Sequence, residues 1–423
     1  MSEFNYKSNR LHVENVAINA IQQSIPTPFY VYSATMIENN FLSLQSRLSD
    51  LNHLICFAVK ANSNQAVLRT LAALGSGADV VSLGELKRAL HAGIHAQKIV
   101  FSGVGKTAKE IEYAIEQGIF QFNVESVAEL HNINAVALKC NKKAHIAIRI
   151  NPDVAVDTHA KITTGSAENK FGISYQHALD TFVLADSLPG ITVQGIHVHI
   201  GSQITDVTPF RAAFKRVADL YKQLETLGIN INVLDLGGGL GICYDPENDK
   251  LPNMNEYRQI IEDELSQFNC KYIVEPGRSL TADTGCLVST VIYDKLGSDR
   301  NFLIIDAAMN DFARPSLYDA YHRISPVIES NKPHKKYDIV GPVCESGDTF
   351  AVARTLPELD SGDLVVIRDC GAYGAVMSGT YNTRPLIAEV MVKGDQFAVI
   401  RERQSLDDLI NLDQIPNWLI SST

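Results

Sequence analysis

The strongest constraint on this chain is a rhythm. From about residue 36 to about residue 280, short apolar runs alternate with helical patterns. The runs end at Lys60, at Asp79-Val80-Val81, at Val100-Phe101, at Phe122-Asn123-Val124, at Ile148-Arg149-Ile150, at Val198-His199-Ile200, at Leu234-Asp235-Leu236 and at Ile273-Val274-Glu275. Between them lie stretches of helical periodicity such as Gly84 to Leu90 and Glu110 to Ile115. Eight strand–helix units in about 240 residues match the usual size of a (β/α)8 barrel, a TIM-type α/β fold. The other parallel architecture, an open doubly wound sheet, wants a dinucleotide or phosphate fingerprint near its start, and none stands there.

The flanks differ. Past about residue 285 short β runs dominate (Cys286 to Tyr293, Phe302 to Asp306, Leu364 to Arg368, Ala388 to Val392), separated by Gly, Pro and Asp turns. That texture predicts a C-terminal all-β domain, a sandwich or small barrel. Residues 1–35 carry one alternating segment, His12 to Ile18, closed by Pro26 and Pro28 before Phe29-Tyr30-Val31-Tyr32. The expected division is 1–35 as an N-terminal segment joining the β domain, 36–282 as the barrel and 283–423 as the β domain.

Composition narrows the partners. With 45% hydrophobic and 20% charged residues, a packed core is expected throughout. The net charge of −11 and the lack of a basic run speak against nucleic acid or an anionic membrane surface. No apolar run reaches the roughly 18 residues of a membrane span, and the N-terminus has no signal-peptide core, so a cytoplasmic protein is expected. Seven scattered cysteines without a CxxC pair suit free thiols in a reducing compartment.

The chemistry-bearing residues coincide with the strand ends. In a (β/α)8 barrel the chemistry sits at the C-terminal ends of the strands. Lys60, Asp79, His199, the glycines after Leu236 and Glu275 all fall there. Lys60 closes the apolar run Leu54 to Val59, which reads as a strand buried on both faces. Desolvation would lower its pKa and make it a Schiff-base nucleophile, whereas a snorkelling lysine at the strand rim is the structural alternative. Gly237-Gly238-Gly239-Leu240-Gly241 could cradle a phosphate with backbone N–H groups or form a tight turn. It is not the dinucleotide fingerprint, whose third glycine would fall on Ile242.

Gly103-Val104-Gly105-Lys106-Thr107 resembles the end of a P-loop, but that motif's first glycine would fall on Val100. A capping box from Thr107 to Glu110 explains it better. His197-Val198-His199 puts two imidazoles on one strand face. Such a pair could hold a metal, yet no further His and Asp cluster is expected at later strand ends, so no metal site is predicted. His199 could instead stack on an aromatic ring, and His197 is expected to be buried with a satisfied hydrogen bond. Glu275, in Glu275-Pro276-Gly277-Arg278, needs a partner, for which Arg278 and a protonated pyridine nitrogen are candidates. Cys344-Glu345-Ser346-Gly347-Asp348 reads as a binding loop for an amine. Arg314-Pro315-Ser316-Leu317-Tyr318 and Gly371-Ala372-Tyr373-Gly374 are arginine and aromatic loops suited to a carboxylate, with a surface ion pair as the alternative for Arg314.

Taken together, FAVKAN (57–62), GADVVSLGEL (77–86), HVHIGSQ (197–203), DLGGGLG (235–241), EPGR (275–278), RPSLYDAYH (314–322), GPVCESGD (341–348), GAYG (371–374) and YNTRP (381–385) resemble the group-IV, fold-type III pyridoxal-phosphate decarboxylases. RPSLY with CESGD resembles their diaminopimelate branch. The resemblance spans about residues 28 to 415 and implies an alanine-racemase-like barrel with a β domain. It implies pyridoxal 5'-phosphate carried on Lys60 as an aldimine, with His199 stacked on the ring and Glu275 on the pyridine nitrogen. Gly237, Gly238, Gly239, Ser202, Gly277 and Arg278 would hold the phosphate, with Tyr373 nearby. Cys344 would be the proton donor. Arg278, Arg314, Tyr318, Glu345 and Tyr373 would bind the substrate's distal end. The implied reaction converts meso-2,6-diaminopimelate to L-lysine and CO2, the last step of lysine biosynthesis, in a homodimer whose β domain supplies Cys344 and Glu345 from the other subunit.

Three rivals stand beside that reading: a barrel metallohydrolase on His197 and His199, a non-catalytic relative, and a decarboxylase of ornithine, arginine or carboxynorspermidine. A non-catalytic relative would be expected to lack the β domain, the lysine or the cysteine, and Lys60 and Cys344 are both present.

Overall fold

The computed structural model describes residues 3–154 and 170–419. The chain divides into two compact units, Ile37–Ala282 and a second made of Met1–Met36 with Asp283–Thr423.

In the first unit eight strands run parallel in chain order: β1 His53–Ala58, β2 Gly77–Val80, β3 Ile99–Phe101, β4 Gln121–Val124, β5 Ala144–Asn151, β6 Ile191–Val198, β7 Val233–Asp235 and β8 Lys271–Val274. Each pairs with the next, and β8 pairs with β1, so the barrel is closed. A short strand, Ile173–Ser174, adds to the end of β5. The (β/α)8 expectation is met strand for strand. Helices return the chain between strands, and their starts are written locally. Ser82, Thr107, Ser126 and Asn253 each accept a backbone N–H of the first turn. The Thr107–Glu110 pair is the expected capping box.

Alternation along the strands builds the barrel interior in tiers. Cys56, Val100, Val233 and Ile273 form one buried apolar cluster, with Leu54 and Phe120 packed against it. Two residues further along, the same strands carry Ser102, Asp235 and Glu275, all buried, and β4 adds buried Asn123. A polar tier therefore lies one step above an apolar floor.

The second unit is a β domain. Its central strand, Gly285–Leu296, pairs with Phe29–Ser33, Asn301–Ile305 and Leu364–Ile367. Phe29–Ser33 also pairs with Ala388–Lys393, so the N-terminal strand is an interior strand of this sheet. Its alternation explains why all five residues are buried. Phe29 and Val31 face one apolar cluster, while Tyr30 and Tyr32 face the other. The N-terminal hairpin Phe4–Lys7 with Arg10–Val13 is tied to this unit through buried Glu14. Its carboxylate accepts from Ser33 Oγ at 2.7 Å, from Thr35 N at 3.0 Å and from Gly394 N.

Candidate active site

Lys60 lies just past β1. The strand ends at Ala58, and Val59–Ala61 forms a 3-10 turn, so the expected strand is one residue too long. The expected desolvation of Lys60 is also corrected. Its side chain is 40% exposed, while its partner Asp79 at the end of β2 is fully buried. Lys60 Nζ donates to Asp79 Oδ2 at 2.6 Å. Burial and then the nearby Glu275 push Asp79 upward, and Lys60 opposes them. The lysine thus reaches over the barrel mouth from a fixed anchor.

His199 and the glycines meet across the ends of β6 and β7. Gly238 N donates to His199 Nδ1 at 3.1 Å, which leaves the ring proton on Nε2. Burial, then the Arg149 and Lys60 charges, hold His199 well below the usual imidazole range, so this ring stays neutral. Gly237 N donates to Asp235 Oδ1 at 3.1 Å. Two of the N–H groups expected to face a phosphate are therefore engaged within the protein. The glycines also permit close backbone packing. A Cβ on Gly237 would strike the Val198 carbonyl, one on Gly238 the Glu275 carbonyl, and one on Gly239 the Gly201 carbonyl. Gly237 and Gly239 also have φ of +65° and +110°, which favour glycine.

Arg278 follows β8 and is buried. Its guanidinium donates to Tyr244 Oη at 2.6 Å and to Ser202 Oγ at 3.1 Å. It is thus held beside Ser202 and Gly277. Glu275 is held elsewhere: Oε1 accepts from Asn123 Nδ2 at 3.1 Å, and Oε2 lies 3.4 Å from His197 Nε2. Burial alone would raise Glu275, but His197 and then Lys60 outweigh it and lower the carboxyl to about 2. Asp235 goes the opposite way, raised well above the usual range by burial and then by Glu275.

His197 corrects two expectations. It is buried, yet neither ring nitrogen makes a hydrogen bond of good geometry. Asp235 and Glu275 also stand at later strand ends, and with His197 their ligand atoms lie within 4.8 Å of one another. Protein donors already engage the carboxylates, since Asp235 Oδ2 accepts from both Gln121 and Asn123 at 3.2 Å. His199, the second imidazole of the pair, is not in that group. Lys106 of the false P-loop is structural. It is buried and donates to Gly103 O, Asn123 O and Glu129 Oε1.

The remaining predicted residues lie in the β domain. Arg314 is buried at the start of the helix Arg314–Tyr318, with its guanidinium 5.9 Å from the Tyr318 ring centroid and Nε 3.3 Å from His322 Nε2. That replaces the surface ion pair considered for it. Cys344 and Glu345 are exposed on a turn folded around buried Asp348, which accepts from Met309 N at 2.7 Å and Val343 N at 2.8 Å. Tyr373 has φ of +55°, a costly conformation for an aromatic residue and one concentrated at functional sites.

Sequence reasoning missed Asn123, Asp235, Tyr244 and Glu85. For Asn123 and Asp235 the only signal is polarity at an inward or strand-end position; Glu85 lies in the first turn of a helix and Tyr244 in the loop after β7, where a polar residue gives none. Glu85 accepts from Val81 N at 2.7 Å, and burial raises it to about 6.

The family model described as "Pyridoxal-dependent decarboxylase, pyridoxal binding domain" matches residues 34–282. A diaminopimelate decarboxylase of Zymomonas mobilis is 48% identical over 99% of this chain and 100% of its own length. The crystal structure of diaminopimelate decarboxylase from Helicobacter pylori complexed with L-lysine is 44% identical, with a TM-score of 0.90 over 93% of this chain and 98% of that one. The enzyme of the same name from M. jannaschii, also solved with L-lysine, is 36% identical, with a TM-score of 0.94 over 99% of this chain and 100% of that one.

Proposed function

We propose that this chain, which belongs to the pyridoxal-dependent decarboxylases and among them to the diaminopimelate decarboxylases, removes CO2 from meso-2,6-diaminopimelate to leave L-lysine. The observation that carries the reading is the placement of Lys60, His199 and Glu275 at the ends of β1, β6 and β8 of one closed barrel. The residues present fit the cofactor. An amine stands at the mouth, a neutral imidazole lies beside it, and a carboxylate is held anionic. The glycines let the backbones at the ends of β6, β7 and β8 pack closely, so these groups share one mouth.

Pyridoxal phosphate, when bound, supplies the electron sink for the carbanion that loss of CO2 leaves. The chain's own groups do the rest. Lys60 Nζ, anchored by Asp79, would hold the cofactor through its amine. His199 offers its neutral ring face to the pyridine. Glu275 presents its anionic carboxylate to the ring nitrogen and favours its protonation. Ser202, Gly239, Gly277 and Arg278 bind the phosphate, with Gly237 and Gly238 allowing the approach and Tyr373 assisting. Arg278, Arg314, Tyr318, Glu345 and Tyr373 take the substrate's distal carboxylate and ammonium, arginine suiting the first and Glu345 the second. Cys344 Sγ delivers a proton to the carbon that lost CO2.

The reading includes a cytoplasmic homodimer in which Cys344 and Glu345 of the partner subunit complete each site. Among the described residues no helix is long and apolar enough to cross a membrane. The test is an absorbance scan followed by CO2 release from a panel of diamino acids. A band near ~420 nm is expected of lysine-bound pyridoxal, with meso-diaminopimelate the preferred substrate. No band would sink the cofactor assignment, and preference for ornithine would sink the substrate.

A further inference from the structure

The proposed reaction asks Glu275 for one property, a negative charge that stays on its carboxylate. The barrel interior makes this difficult. Asp79, Asp235 and Glu275 are all at most 6% exposed in one polar tier. Three carboxylates in a dry site cannot all ionise together. The charged and titratable groups facing Glu275 are Lys60 past β1, the Cys56 thiol on β1, Asp79 at β2, His197 on β6, His199 just past it, and Asp235 on β7.

Two features break the symmetry among the three acids. Asn123 Nδ2 has three acceptors in reach: Ser102 Oγ at 3.0 Å, Glu275 Oε1 at 3.1 Å and Asp235 Oδ2 at 3.2 Å. Its orientation is fixed from the other end, where Asn123 Oδ1 accepts from Gln121 Nε2 at 2.8 Å. On the opposite side His197, 1% exposed, faces Glu275 Oε2 at 3.4 Å with no other hydrogen bond at either ring nitrogen. An imidazole with its proton on Nε2 presents a donor to that oxygen in either charge state. Asp235 is also engaged on both oxygens, by Gly237, Gln121 and Asn123, but of the three acids only Glu275 has an imidazole within 4.0 Å among the described residues, and Asp79 Oδ1 has no hydrogen-bond partner. The electrostatics agree: Asp235 and Asp79 are pushed up by burial and by Glu275, and Glu275 alone of the three is lowered.

We propose that Asn123 and His197 are positioning residues that hold the negative charge on Glu275 and through it keep the ring nitrogen of bound pyridoxal phosphate protonated. The proposal rests on the cofactor reading above and deepens it. Neither residue touches the reacting atoms, so each acts only through Glu275.

The experiment loads the wild-type enzyme and three variants with pyridoxal phosphate labelled with 15N in the ring. It reads the ring 15N chemical shift, with absorbance confirming that each is loaded. The wild-type ring is expected at the protonated position. His197→Phe and Asn123→Leu each remove a donor and are expected to move the ring most of the way to the neutral position. Decarboxylation should fall in the same proportion as the protonated fraction. His197→Gln keeps an N–H donor and is expected to stay near wild type. A merely structural role would lower stability without moving the ring shift. Loaded His197→Phe and Asn123→Leu with an unchanged protonated shift would overturn the proposal and leave the cofactor reading standing. A neutral ring in the wild type would overturn both. If His197→Phe does not fold, the contrast between Asn123→Leu and wild type decides.

Discussion

The barrel mouth and the β-domain loops solve the same problem by different means. At the mouth, the candidate side chains sit on or just past strands, and each is met by a side chain from another strand. Lys60 past β1 is held by Asp79 of β2, and Glu275 past β8 by Asn123 of β4 and His197 of β6. In the β domain, Cys344 and Glu345 are exposed on a turn whose shape is set by buried Asp348 and by bonds from Cys344 N to Asn382 and from Ser316 to Gly347 O, not by contacts to the two side chains named. The difference teaches that the barrel can pre-set charge without help, because its donors and acceptors are desolvated together. The exposed turn leaves Cys344 and Glu345 in solvent, where the surroundings do not pre-set their charge.

Substitutions at the two places should therefore behave differently. Lys60→Ala should have the largest effect, a loss of decarboxylation of about 10⁴-fold or more, with some loss of thermal stability because buried Asp79 loses its partner. Near-normal turnover would overturn the account of the barrel mouth. Glu275→Gln should come next, slowing turnover by roughly 10²- to 10³-fold. It should also leave a trace in the cofactor-free protein. The folded value of Glu275, about 2, lies below its ordinary 4.5, so its contribution to stability is present above pH 4.5 and lost as pH falls towards 2. Denaturation in that window should be flatter with pH in the variant.

Cys344→Ala should reduce turnover by about 10²-fold while cofactor loading and melting temperature stay at wild-type levels, because the thiol is exposed. Full turnover would remove its proton-donor role. Glu85→Gln should be the mildest for activity and should show the opposite pH trend. The folded value of Glu85, about 6, lies above 4.5, so stability falls as pH rises between the two. At pH 7 the variant should be more stable than wild type, by on the order of 2 kcal/mol, in denaturant titrations at pH 4 and pH 7. An equal gain at both pH values would contradict the buried-carboxyl account.

The same contrast explains what could be read in advance. Strand ends are legible because an apolar run that stops at Lys60 or Glu275 marks a boundary between core and loop. The eight-unit rhythm then brings those ends together. The polar tier is less legible. Asn123, Asp235 and His197 lie inside or at the end of apolar runs, where a polar residue reads as an isolated core exception until the closed barrel sets them side by side. Lys60 was expected in a desolvated setting because its strand is buried, yet the chain turns at Val59 and lifts the amine towards solvent. The glycines after β7 announced close approach, but the capture of two of their N–H groups by Asp235 and His199 depends on geometry across strands.

The central claim is that Lys60 carries the cofactor. The most direct measurement is borohydride reduction of the purified enzyme, followed by proteolysis and mass spectrometry of every lysine-containing peptide. The account predicts a reduced pyridoxyl-phosphate adduct on the peptide containing Lys60 and its absence from the Lys60→Ala variant. An adduct confined to another lysine, or none in an enzyme that still decarboxylates, would contradict it.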